Sequence, residues 1–138
     1  MLRDDGDDPL RFPFLDLYST LMDLPAEVFL DIIRHIYQER SVWQSKLTAR
    51  SQYVDFAAVR STALMTVEGE DDDIAAPGQT RRAHDLCPSV PVDARCQLLV
   101  PACGHFSLFH GDIWRRSVLP EVRVFIDRFG DGGIGPPV

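Results

Sequence analysis

The chain has 138 residues, of which 45% are hydrophobic and 25% are charged, so we expect an ordinary globular domain. Its formal net charge is -7, and the acidic residues cluster at positions 4–8 and 68–73. An acidic chain gains no counterion-release affinity for nucleic acid, which excludes DNA and RNA from the expected partners. No apolar run approaches the roughly 18 residues of a membrane-spanning helix, and the acidic start does not resemble a signal peptide.

The chain contains three cysteines, Cys87, Cys96 and Cys103. An odd number without CxxC spacing argues against a disulfide framework and against a zinc knuckle. We therefore expect free thiols in a reducing cytoplasm, each packed as a small hydrophobic side chain.

The amino-terminal part predicts a mobile segment followed by one apolar helix. Residues 1–13 form an acidic lead-in that ends at a proline. Asp23 is a plausible N-cap for the helix, and Pro25 suits its first turn. The apolar positions then repeat at four-residue spacing: Val28, Ile32 and Ile36. This pattern predicts a helix of about three to four turns that packs in a core.

The middle of the chain predicts a hairpin and then a strand, a helix and a second strand. Residues 46–55, K-L-T-A-R-S-Q-Y-V-D, favour a short hairpin with its turn at R-S. The apolar runs A-L-M-T-V at 63–67 and C-Q-L-L-V at 96–100 are typical of buried parallel strands. Between them, P-G-Q-T at 77–80 opens a helix.

The carboxyl-terminal part predicts a helix in two pieces. Residues 112–118 can form one or two turns, and Pro120 suits the first turn of a new helix better than the interior of a continuous one. An apolar stripe at helical spacing follows, formed by Val122, Phe125, Ile126 and Phe129. Residues 130–138, rich in glycine and proline, predict a flexible tail.

An acid and a histidine follow the two predicted parallel strands. The acidic cluster comes after the first strand and His105 after the second, 33 residues beyond Asp72. Neighbouring strands lie about 4.8 Å apart, so the two side chains can meet at the carboxyl end of the sheet. A catalytic histidine needs such a carboxylate to fix its tautomer and stabilise its charged form. Asp72, three residues past the turn glycine Gly69, is the first candidate, and Asp73 is the alternative.

Other interpretations of these residues stay open. An acidic run is most often a solvated loop, and a lone loop histidine is usually not catalytic. A metal site is weaker still, because its candidate ligands show no ligand spacing. Those candidates are Asp71, Asp73, His84 and His110. No G-x-S-x-G nucleophile turn is present, all three cysteines follow the acid, and Cys103 lies only two residues before His105.

Two segments resemble the carboxyl-terminal part of intracellular polyhydroxybutyrate depolymerases. They are T-A-L-M-T-V-E-G-E-D-D-D-I-A-A-P-G-Q-T-R-R-A-H-D-L-C and P-A-C-G-H-F-S-L-F-H-G, with W-R-R-S-V-L-P-E-V-R-V-F-I following the second. M-D-L-P-A-E-V-F-L-D-I-I-R resembles the helix that precedes this part of the family. The resemblance covers residues 14–129, which we predict to form the domain.

The resemblance implies an α/β-hydrolase that cleaves the ester bonds of stored poly(3-hydroxybutyrate) in the cytoplasm, where it can associate with storage granules, without metal or cofactor. It maps the catalytic aspartate onto Asp72 and the histidine onto His105, whereas the family's nucleophile lies well upstream and has no counterpart here. The histidine loop also departs from the family's G-x-G-H-Y-G pattern. Ala102, Phe106 and Ser107 replace Gly, Tyr and Gly.

We therefore expect the carboxyl-terminal portion of an α/β-hydrolase, with a short parallel sheet and flanking helices but an incomplete domain. An α/β-hydrolase sheet has about eight strands, and two alone would expose an apolar edge. The missing part would come from the amino-terminal portion of the hydrolase or from a second copy, and this chain alone would be inactive. Two alternatives are a non-catalytic module that binds a granule or a partner, and another ester hydrolase or acyltransferase on the same scaffold.

Overall fold

The structure is a computed structural model that describes residues 23–130. These residues belong to two compact units, one described over residues 23–56 and the other over residues 57–130. The predicted lead-in at 1–13 lies outside the described residues, as does the predicted tail beyond Gly130. No helix among the described residues is long and apolar enough to span a membrane.

The first unit begins with the predicted apolar helix. Helix α1 spans Ala26–Ile32 and continues as a π-helix over Ile33–Gln38. Its N-cap is Pro25, with no side-chain cap, so the prediction of Asp23 as the N-cap was wrong. Pro25, predicted for the first turn, takes the cap position directly before it. No residue of this helix is buried, so the predicted core packing is not observed either.

A two-residue hairpin follows, as predicted. Strands β1, Thr48–Ala49, and β2, Gln52–Tyr53, pair antiparallel. The turn residues Arg50 and Ser51 have φ angles of 50° and 62°. Two left-handed residues match the right-handed twist of a hairpin, although side chains there cost about 1–2 kcal/mol per residue. Phe56–Ala58 then forms a single 3₁₀ turn.

The second unit contains the predicted pair of parallel strands. Strand β3 spans Leu64–Gly69, and strand β4 spans Arg95–Val100. They pair in parallel from Leu64 opposite Arg95 to Gly69 opposite Val100. Both strands point the same way, so the loops that leave Gly69 and Val100 emerge side by side.

The connection between β3 and β4 contains the predicted helix. It begins as a 3₁₀ turn over Thr80–Arg82 and continues as α2, Ala83–Leu86, and a second 3₁₀ turn spans Val92–Ala94. The Arg95 guanidinium donates hydrogen bonds to main-chain carbonyls in α2 and just beyond it. These are the carbonyls of Val90, Pro88, Cys87 and His84. A cation at this position satisfies acceptors that the helix end leaves open.

The carboxyl-terminal helix is continuous, although two separate pieces were predicted. Helix α3, Gly111–Ile113, runs into a π-helix at Trp114–Val118 and then into α4, Leu119–Phe129. Pro120 does occupy the first turn of α4, as predicted. Since proline donates no hydrogen bond, the wider π turn before it lets the chain continue without a break.

The core of the second unit lies between the sheet and the carboxyl-terminal helix. Four residues form its buried cluster: Val100, Cys103, Leu108 and Val118. Partly buried side chains from both strands and from the helix pack around them, including Val67, Leu98 and Val122. The cluster includes Cys103 and Leu108, so it anchors the loop that carries His105 from both sides.

Candidate active site

The loop after β3 buries one carboxylate. Asp72 lies three residues beyond Gly69, and its side chain is only 2% exposed. Its Oδ1 accepts hydrogen bonds from the Ile74 N–H at 2.9 Å and from the Ala75 N–H at 2.7 Å. The loop therefore folds around Asp72 and fixes one of its two oxygens.

The loop after β4 presents the histidine. His105 immediately precedes the 3₁₀ turn Phe106–Leu108, and its side chain remains 26% exposed. Phe106 and Phe109 approach the imidazole edge-on, with ring centroids 5.5 and 5.8 Å away. Phe106 is buried while Phe109 is exposed, so the ring has an apolar support on one side and an accessible face.

The two loops bring Asp72 and His105 into direct contact. His105 Nδ1 lies 2.9 Å from Asp72 Oδ2, which is hydrogen-bond distance between residues 33 positions apart. This is the meeting predicted from the parallel strands. Asp73, the alternative, is exposed and makes no hydrogen bond to His105. The geometry thus favours Asp72 as the partner, and the catalytic role of the pair stays a prediction.

The surroundings of Asp72 keep it ionised. Burial alone would raise the pKa of Asp72, but the N–H of Ala75, the His105 ring and the N–H of Ile74 together lower it below 3.8. An ionised carboxylate only accepts hydrogen bonds, so His105 must donate through Nδ1–H. The lone pair of Nε2 is then free to take a proton, which is what a general base requires.

Backbone contacts hold the acid loop against the histidine loop. The Glu70 N–H donates to the Val100 carbonyl at 2.9 Å, and the Asp71 N–H donates to the Cys103 carbonyl at 3.0 Å. A Cβ on Gly69 would collide with that same Cys103 carbonyl. Glycine is required here because the two loops approach so closely. The sequence marked Gly69 as a turn residue, but the partner of its close approach was not predictable.

A second buried carboxylate, Glu68, lies on β3 and was not singled out from the sequence. Its oxygens accept the Gly78 N–H at 2.9 Å and the Arg81 N–H at 2.8 Å. Burial alone would raise the pKa of Glu68, but these backbone N–H groups lower it below 4.5. One oxygen of Glu68 therefore serves an N–H group in the first turn of the helix that begins at Thr80, and the other holds the Gly78 N–H just before the helix.

His84 is a buried histidine apart from the Asp72–His105 pair. It is 3% exposed, and its Nε2 lies 3.0 Å from the Thr66 hydroxyl. Burial, with the positive charge of Arg95, lowers the pKa of His84 below 6.5. Within residues 23–130, no three His, Cys, Asp or Glu side chains are grouped so as to hold a metal ion. The weak metal candidates of the sequence are therefore not brought together.

The surroundings of the His105 ring nitrogens differ, since only the contact of Nδ1 with Asp72 is observed among the described residues. Over residues 23–130, no hydroxyl or thiol is hydrogen-bonded to His105 Nε2. The Cys103 thiol is fully buried and donates to the Gly104 carbonyl at 3.4 Å. A cavity of about 310 Å³ lies beside Glu68, Arg81 and Leu99 and does not include His105.

The fold and the site together define a class: an α/β unit with an acid–histidine pair at the carboxyl ends of two parallel strands. Residues 2–130 match the family described as PHB de-polymerase C-terminus. The chain belongs to this family, whose members take part in polyhydroxybutyrate metabolism.

Comparison with curated proteins identifies a distant relative. The poly(3-hydroxyalkanoate) polymerase subunit PhaC of Haloferax mediterranei is 26% identical to this chain over a match that covers 67% of the chain. The match covers 19% of the relative, so the chain spans about a fifth of that protein. No solved structure gives a significant match.

Proposed function

We propose that the chain is the acid- and histidine-bearing portion of a carboxylic ester hydrolase of the polyhydroxybutyrate depolymerase type. The observation that carries the proposal is the 2.9 Å contact between His105 Nδ1 and the buried Asp72. The family match supports the substrate class, and the parallel strand pair is compatible with the carboxyl-terminal end of an α/β-hydrolase sheet. We retain residues 14–129 as the domain that serves this function.

In this proposal His105 moves protons during ester cleavage. Its Nε2 takes the proton of a serine or cysteine nucleophile as that group attacks the ester carbonyl. The same proton then passes to the leaving alkoxide of the polymer chain. His105 next activates water, which releases the acyl group as a carboxylic acid. Asp72 stabilises the imidazolium that forms in each step and keeps the Nδ1–H tautomer in place.

The proposed partners follow from the missing groups. The nucleophile would come from the amino-terminal portion of a hydrolase, whereas a second copy of the chain would bring none and could only cover the open edge of the sheet. The substrate would be polyhydroxybutyrate or its oligomers, handled in the cytoplasm at or near storage granules. The length of the polymerase relative supports a contribution from further residues, because the relative is about five times longer than the segment it shares with this chain.

A reconstitution assay tests the proposal. This chain is mixed with the separately expressed amino-terminal segment of a depolymerase of the family, and release of 3-hydroxybutyrate from its oligomers is measured. We expect turnover with the wild-type chain and a rate lower by several orders of magnitude, but still measurable, with His105→Ala. No turnover in any mixture, or equal turnover after His105→Ala, would contradict the proposal.

Acyl transfer to a hydroxyl group is the second candidate, because the relative is a polymerase subunit. An acyl enzyme served by Asp72 and His105 can pass its acyl group to a polymer hydroxyl instead of water. Mass spectrometry of the same mixture separates the two activities. Hydrolysis gives shorter acids, whereas transfer gives longer oligomers.

A non-catalytic granule-binding module is the third candidate, and helix α1 favours it. Large apolar side chains of this helix are exposed, including Phe29 at 54%, Leu30 at 62% and Tyr37 at 69%. Granule binding that survives Asp72→Ala and His105→Ala, with no turnover in any mixture, would favour this candidate over the enzyme.

A further inference from the structure

Glu70 joins the acid loop to the histidine loop through its side chain. It is the first residue after β3, and its Oε2 accepts a hydrogen bond from the Ala102 N–H at 3.0 Å. Its own N–H donates to the Val100 carbonyl at 2.9 Å. Glu70 is thus hydrogen-bonded both to the end of β4 and to the loop that follows it.

Ala102, the residue bonded to the Glu70 carboxylate, has a backbone conformation that costs free energy. Ala102 has a φ of 49°, in the left-handed region that glycine adopts freely and that costs other residues about 1 kcal/mol or more. Ala102 lies three residues before His105, so its conformation directs the chain towards the site. The hydrogen bond from the Ala102 N–H to Glu70 is present together with this conformation, and its net free energy is large enough to offset the cost.

The remaining contacts between the loops act on other residues. The Asp71 N–H fixes the Cys103 carbonyl, and Asp72 fixes the His105 ring. Neither contact reaches Ala102. The Glu70 carboxylate is therefore placed to control the part of the histidine loop nearest to β4.

We infer that Glu70 is a positioning residue: by accepting the Ala102 N–H, it holds the histidine loop so that His105 stays within hydrogen-bond distance of Asp72. The inference rests on the proposed function for its meaning in catalysis. Glu70 itself does not touch the imidazole, and it acts through the backbone of residue 102.

The test is NMR spectroscopy of the His105 imidazole in the 138-residue chain. The signals are the Nδ1–H proton, its exchange rate with water, and the ¹⁵N shifts that report the tautomer. Glu70→Gln keeps an oxygen acceptor, and Glu70→Ala removes it. Asp73→Ala is the matched control, because it deletes one exposed negative charge from the same loop.

We expect Glu70→Ala to speed exchange of the Nδ1 proton about fivefold, the factor that one hydrogen bond of ordinary net strength supplies. Glu70→Gln and Asp73→Ala should match the wild type. Exchange and tautomer unchanged in Glu70→Ala would overturn the inference, and so would equal effects in Glu70→Ala and Asp73→Ala.

A second pair of variants covers a loss of folding in Glu70→Ala. Ala102→Gly removes the backbone cost at residue 102, so Glu70→Ala/Ala102→Gly is compared with Ala102→Gly alone. Because Ala102→Gly removes the cost that Glu70 offsets, the double variant should fold and exchange as Ala102→Gly alone does, which supports the inference. A double variant that still loses folding, or that exchanges about fivefold faster than Ala102→Gly alone, overturns it. The NMR readout needs no substrate. Absent turnover in the reconstitution assay would therefore contradict the proposed function and leave this result standing.

Discussion

Two buried carboxylates, four residues apart at the end of β3, use their oxygens differently. Both oxygens of Glu68 accept hydrogen bonds from main-chain N–H groups, those of Gly78 and Arg81. Asp72 gives one oxygen to backbone N–H groups and the other to the His105 ring. Both carboxylates have lowered pKa values for the same reason, since hydrogen bonds outweigh burial.

The difference separates a structural carboxylate from a candidate catalytic one. Burial and a lowered pKa are common to both and therefore identify neither. What distinguishes Asp72 is the oxygen left for a titratable side chain that remains partly exposed. Glu68 serves only main-chain groups, so its removal should affect folding more than chemistry.

The largest expected effect comes from Asp72→Asn. We expect kcat of the reconstituted mixture to fall by about 10³–10⁴-fold, because an amide neither selects the Nδ1–H tautomer nor stabilises the imidazolium. The measurement is the initial rate of 3-hydroxybutyrate release at saturating oligomer. Asp73→Asn, which removes the same charge one residue away, should leave the rate within about twofold. A similar loss of kcat in both variants would contradict the assignment of Asp72, rather than Asp73, as the carboxylate that serves His105.

Glu68→Gln should lower the stability of the fold and leave the turnover rate nearly unchanged. The amide keeps one acceptor oxygen, but its NH₂ faces the other of the Gly78 and Arg81 N–H groups and leaves that donor unpaired, so we expect a loss of about 1–3 kcal/mol in the free energy of unfolding. Urea denaturation followed by circular dichroism measures it. In the mixture, kcat should remain near the wild-type value at temperatures where the variant is folded. Full stability with lost turnover would make Glu68, too, a functional group.

Gly69→Ala tests the close approach between the acid loop and the histidine loop. The added Cβ would collide with the Cys103 carbonyl, which is backbone and cannot swing away. We expect a loss of about 1–3 kcal/mol in the free energy of unfolding. Gly78→Ala is the comparison, because its Cβ would meet only the Arg81 side chain at 3.9 Å and its cost comes from a φ of 98°. Equal activity in both variants would show that the loop approach is not needed for function.

The smallest expected effect concerns pH and His84. Its pKa is lowered in the folded state, so between that value and 6.5 the unfolded chain binds the proton more readily. Stability should therefore decline as pH falls below about 6.5, ahead of the decline due to Glu68 and Asp72, whose ordinary pKa values are 4.5 and 3.8. His84→Gln should flatten the upper part of this curve, as measured by thermal unfolding across pH. If the dependence of stability on pH were the same in His84→Gln as in the wild type, His84 would not be the cause of the decline below about pH 6.5.

The sequence predicted the parts of the fold that rest on local patterns. Apolar runs and turn residues gave the hairpin, both parallel strands and the helix at Pro120. It did not predict that α1 would lack buried residues, because its apolar pattern is the same whether or not another surface covers it.

Only one part of the candidate site could be predicted from the sequence, namely the part that follows from the pairing of two parallel strands. Parallel strands place the loops after Gly69 and Val100 together, which predicted the meeting of an acid with His105. The roles of Glu68 and Glu70 were not predictable, because both lie in one acidic run whose hydrogen-bond partners are 10 to 32 residues away.

A double-mutant cycle in the reconstitution assay tests most directly whether Asp72 and His105 act as one catalytic unit. The variants are Asp72→Asn, His105→Ala and the two combined, and the measured quantity is kcat on 3-hydroxybutyrate oligomers. Groups that act as a unit are strongly non-additive, so we predict that the combined variant is no slower than His105→Ala alone. Losses that multiply in the combined variant would contradict the account.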